Sequence, residues 1–166
     1  MQRHGATTDM SNLHQTDFYQ WTREQVELLR RNQFRRLDLQ NLIEAVDDLG
    51  RGQLEQLECH LTRILVLLLK WQIRAFREDL RTMHRWYQSW FMVIEYGLKK
   101  ERAAISQLLM KNPSLFKLLE ESVLECYPIA CQDASKELEI PVEEFPDTNP
   151  WSLEQLISDD FPGKGE

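Results

Sequence analysis

Apolar positions along this chain recur at helical spacing. From Asp17 onwards, Phe18, Trp21, Gln25, Leu28 and Leu29 share one face, which predicts a first helix over 17–33 with Asp17 as its cap. Leu39, Leu42, Ile43, Val46 and Leu49 write a second helix, entered after Asp38 as its cap. Gly50 is expected to end it by supplying the left-handed residue that helix ends often take. Leu54, Leu57, Leu61, Ile64, Leu68, Trp71 and Ala75 then alternate steps of three and four, one continuous stripe along a third helix. Through 64–69 the remaining faces are apolar too, so this middle part must be surrounded by protein. A bilayer span needs about 20 mostly apolar residues, and Arg63 and Lys70 bracket only six; the stretch reads as a central helix and not a membrane span.

A fourth helix is predicted from Thr82 to about Met110, with Trp86, Trp90, Val93, Gly97, Ala104 and Leu108 in one line and Ile94, Leu98, Ile105 and Leu109 beside it. The string "KNPS" breaks the chain, and Pro113 suits the first turn of a fifth helix reaching about Glu139. Pro128 inside that helix cannot donate to residue 124, so a kink is expected there. After the proline-rich connector "IPVEEFPDTNP", Ser152 with Gln155 three residues on forms a capping box for a short last helix. Trp151, Leu153, Leu156, Ile157 and Phe161 are too apolar for a segment left in solvent, so this end is expected to dock across the helices. The fold class is therefore all-α: a single-domain helical bundle of five main helices plus a short C-terminal one, over residues 17–162. Residues 1–16 lack periodicity and read as a mobile leader, and 163–166 as a tail.

Charge narrows the functions. The net charge is −7, and residues 111–166 hold four Lys or Arg against thirteen Asp or Glu, leaving −9 there and +2 in the rest. An acidic chain is poorly suited to general nucleic-acid or anionic-membrane binding, which rests on neutralising cations. Three cysteines, Cys59, Cys126 and Cys131, are an odd number without a preceding signal peptide; they read as reduced thiols of a cytoplasmic protein, packed as small hydrophobes.

Six strings in order, "DFYQW", "NLIEAVDDLG", "LLLKWQ", "SW" at 89 and 90, "NPSL" at 112–115 and "FPDTNPWSLEQLI", resemble the bacterial family known as domain of unknown function 29, over roughly residues 17–162. The resemblance implies an all-helical domain with no established activity and no catalytic residues to carry over. The family pattern has a pair of glutamates where this chain has Glu44 and Ala45, a histidine at Leu67, and threonine and arginine at Val93 and Leu98. Where those polar positions form a site in relatives, most of it is replaced here by apolar groups.

Candidate chemistry is sparse. Glu44, Asp47 and Asp48 lie at i, i+3 and i+4 on one helix, a spacing that could hold Mg²⁺ or poise a general base; the plainer reading is a solvated polar face. Histidines 4, 14, 60 and 84 form neither HExxH nor ExxH, and GxSxG, GxGxxG and phosphate-loop patterns are absent. Arg30, Arg31, Arg35 and Arg36 around Phe34 could grip single strands by charge and stacking. Their overall setting favours pairing with the carboxylates of residues 120–147 or across an oligomer interface, with Arg31 and Arg35 as interaction candidates. Tyr87 and Phe91, four apart, are candidates for an interfacial aromatic patch. The sequence thus points to a cytoplasmic protein-interaction or adaptor module, with an unknown protein partner or self-association and neither metal nor cofactor. The competing reading is a metal-assisted hydrolase or nuclease using Glu44, Asp47 and Asp48. Carboxylates converging in one pocket would favour the enzyme, and a splayed, solvated arrangement the module.

Overall fold

A computed structural model describes residues 10–76 and 84–160, with side chains over 13–73 and 90–160. The described residues are helical or irregular, with no strand among them, so the fold is all-α. The chain divides into two compact units, 1–52 and 53–166.

In the first unit, Met10–Thr16 forms helix α1, although this stretch lies in the segment expected to be a leader. Its reason is tertiary: Leu13 is buried, and the His14 ring packs edge-on against Trp21 and Phe18, 4.7 and 5.4 Å between centroids. Helix α2 spans Phe18–Arg30, capped as predicted by Asp17, whose carboxylate accepts from the Gln20 N–H at 2.9 Å. It stops short of residue 33 because Asn32 adopts φ 56°. The Asn32 and Gln33 N–H groups then reach back to the Leu29 and Leu28 carbonyls at 3.0 and 2.9 Å, a Schellman ending with asparagine in the left-handed place. A 3₁₀ turn over Phe34–Arg36 leads to Asp38. There the Asp38 N–H donates to buried Gln25 at 2.9 Å and the Trp21 indole donates to the Asp38 carboxylate at 3.2 Å. Gln25, placed on the core stripe by its spacing, is thus the polar anchor that fixes where the next helix starts.

That helix, α3, runs from Leu39 to Phe76 as one element of 38 residues. The expected break at Gly50 does not occur: no glycine among the described residues has positive φ, and the helix continues through Gly50 and Gly52. Mid-helix glycine costs about 1 kcal/mol relative to alanine, which the apolar contacts further along α3 exceed. The predicted second and third helices are therefore one.

In the second unit, α3 from residue 53 packs with α4, His84–Lys111, and α5, Leu119–Leu138. Leu57, Leu61, Ile64, Leu65 and Leu68 of α3 are fully buried, as the stripe required, among Ile94, Leu98 and Ile105 of α4 and Leu119, Val123 and Ala130 of α5. The turn "NPSL" forms a 3₁₀ segment, Pro113–Leu118, with proline in its first turn. The Asn112 amide donates to Leu108 and Gln53, tying this corner to α3. Helix α5 passes through Pro128 and ends at Glu139, which takes φ 55°. The last element, α6 over Leu153–Ile157, has the predicted capping box between Ser152 and Gln155. Trp151 and Leu156 are buried in the common core, with Leu153 and Ile157 packed against it; Phe161 lies outside the described residues. Arg102, buried on α4, fixes this docking by donating from Nε to the Leu156 carbonyl and from Nη2 to that of Gln155, both at 2.9 Å.

Candidate functional site

The residues with the strongest prior claim to chemistry do not form a pocket. Glu44, Asp47 and Asp48 are all exposed. Arg51, one turn on, approaches Asp47 at 3.9 Å and Asp48 at 3.7 Å, with every partner more than 60% solvent-exposed. Such pairs contribute little to stability, and all three carboxylates stand in solvent. Among the described residues no group of three or more His, Cys, Asp or Glu could hold a metal ion. Arg31 and Arg35 are exposed as well, and the recorded ion pairs of this patch are local, Arg30 and Arg31 to Glu27 at 3.0 and 3.8 Å. Phe91 is half-buried, and the Tyr87 side chain lies outside the described residues.

Beside a polar hollow lined by Arg23, Glu27, Arg31 and Arg36, the first unit presents an apolar face. Leu39 is 59% exposed, Ile43 61%, Val46 61% and Leu49 71%, so the face of α3 expected to pack inside the fold instead meets solvent. The partly covered side of these turns holds Asn41, Leu42 and Ala45. Gly50 follows Val46 by four residues and so continues the exposed line; a Cβ built on it would meet nothing within 4 Å.

The second unit holds a cleft of about 420 Å³ between α3, α4 and α5. Leu67 and Val93 both line it, while Leu98 is in the core. At one side the carboxylate of Glu101, itself buried, lies 2.6 Å from His60 Nδ1 and 3.6 Å from Arg63. At the other, Lys70 pairs with Glu137 at 2.6 Å. His60 belongs to no ligand motif along the sequence; its partner lies 41 residues off. A signal did exist: Ile94, Leu98, Glu101, Ile105 and Leu108 follow one seam by steps of four and three, and a carboxylate on a core seam demands a partner. A carboxylate-held imidazole can serve as a general base. Here, among the described residues, it contacts no hydroxyl or thiol, and the cluster satisfies the buried Glu101. Of the cysteines, Cys126 and Cys131 are buried as expected, but Cys59 is exposed.

The chain belongs to the family described as domain of unknown function DUF29, whose model matches residues 13–162. No curated protein and no solved structure gives a significant match. None of the described helices is long and apolar enough to cross a membrane.

Proposed function

We propose that this chain is a small cytoplasmic protein-interaction module, and that its working surface is the apolar face of α3 formed by Leu39, Ile43, Val46 and Leu49. The observation that carries this reading is the exposure of those four side chains on consecutive turns. Contiguous apolar surface of this kind marks interaction sites, because water contact with it is unfavourable. The hydrolase alternative required Glu44, Asp47 and Asp48 to line one pocket, and all three are exposed to solvent, Asp47 and Asp48 beside Arg51. Three free thiols fit a reducing compartment.

A photoreactive amino acid placed at Val46 in the native host tests the reading. Cross-linked adducts of defined mass are expected from position 46 and not from the neighbouring polar position Asp48. Equal labelling at both positions, or none at 46, overturns it.

A further inference from the structure

We infer that the occupant of this face is the same face of a second copy, with the two α3 segments antiparallel and Leu39 of one copy lying on Gly50 of the other. This rests on reading the stripe as an interaction surface, and it names what that surface binds.

The line Leu39, Ile43, Val46, Gly50 runs from bulky to bare along α3. Reversed and laid against itself, it sets Leu39 opposite Gly50 and Ile43 opposite Val46, at both ends at once. Leu42 then flanks Leu49 on one side and Gln40 flanks Asp47 on the other, so apolar meets apolar and no like charges are paired. Glu44 and Asp48 point away from the seam. A parallel pair would instead stack Gly50 on Gly50, leaving a void, and bring like residues of the acidic turns to the same level.

Gly50 is otherwise unexplained. It costs about 1 kcal/mol of helix stability relative to alanine, its φ is not positive and the space above it is open. Among the described residues nothing requires it; the close approach of an opposing leucine does.

The area suffices. At their exposures the four residues offer about 500 Å² of surface per chain, so complete cover by a second copy removes about 1,000 Å² in all, the size at which specific interfaces begin.

Sedimentation of the full chain over a range of concentrations, at physiological salt, tests the pairing. The expected result is a two-chain mass at tens of micromolar protein. Val46→Glu buries a charge in the seam and should weaken pairing by about a hundredfold. Gly50→Leu is the sharper variant, since a lone helix accepts leucine at this open position and the pair does not. It should yield a single-chain mass with thermal stability kept or raised. Register is read by mixing Ile43→Cys with Val46→Cys, both carrying Cys59→Ser, and oxidising: the mixed disulfide should exceed either like pair. A single-chain mass for the natural protein at every concentration, or a two-chain mass kept in both Val46→Glu and Gly50→Leu, overturns the inference. If the natural chain is single while position 46 cross-links to a different protein, self-pairing alone falls; if position 46 yields no adduct, the interaction reading falls with it.

Discussion

Gly97 of α4 lies so close to Leu67 of α3 that a Cβ at position 97 would stand 2.9 Å from Leu67 Cδ1. The two residues share the floor of the second unit's cleft, and the glycine there makes room for a leucine. They should therefore be coupled. In a Leu67→Ala background, Gly97→Ala should gain about 0.5–1 kcal/mol from helix propensity. In the natural chain that gain should be reduced or lost, because Leu67 has to shift. Urea unfolding midpoints of the four proteins give the coupling directly; equal effects in both backgrounds would refute it.

Arg102 holds the C-terminal segment through two carbonyls. Burial pulls its pKa down, with the charge of Asp159 acting the other way, and the guanidinium makes charge-assisted bonds to the Leu156 and Gln155 carbonyls of α6. Arg102→Ala should cost about 3 kcal/mol and release Trp151 and Leu156 from the core, detected as binding of an apolar dye under native conditions. A variant that binds no dye would show that apolar contacts hold the segment unaided.

Glu58 has its pKa raised from 4.5, first by burial, then by the charges of Glu125 and Glu55. A carboxyl with a raised folded pKa takes up protons on folding, so its favourable contribution is present below about pH 4.5 and is lost as pH rises through the folded value. At neutral pH the charged form is a liability. Glu58→Gln should raise the denaturation midpoint at pH 7, and the advantage should shrink as pH falls towards 4. An advantage independent of pH would assign the effect to something other than charge.

The acidic turn makes a prediction about metal. A bound ion at a hundredfold excess over its dissociation constant adds about 2.7 kcal/mol to stability. With Asp47 and Asp48 exposed and each facing Arg51, millimolar Mg²⁺ or Mn²⁺ should leave the melting temperature unchanged in the natural chain and in Asp47→Ala alike. A rise that disappears in the variant would revive the metal-dependent hydrolase.

The parts of this fold legible in the sequence are those where one local rule acts without competition. Asp17 and Ser152 cap the helices they precede, and Leu57, Leu61, Ile64 and Leu68 of the predicted stripe are fully buried. Misreadings arose where a local signal met a larger sum of contacts. Gly50 resembles a helix end, yet glycine only taxes a helix, and α3 runs on. The face of Leu39, Ile43, Val46 and Leu49 has an amphipathic pattern that says a surface is to be covered, and periodicity is silent on whether the cover is the same chain. His60 and Glu101 meet only in the tertiary fold; no spacing within one helix announces a partner 41 residues away, although a glutamate on a core seam is a mark that could have been read.

The thiols give this chain a reporter of its own motions. Cys59 is exposed, whereas Cys126 and Cys131 are buried, with burial raising the pKa of both. Cys126 also reaches the Glu58 carbonyl at 3.4 Å. An alkylating reagent should therefore mark one sulfur at once and the other two only when the packing around α5 opens, since thiolate and access are both withheld until then. The lag between the first and later adducts times the spontaneous openings of the second unit, without a dye, a label or any change of residue.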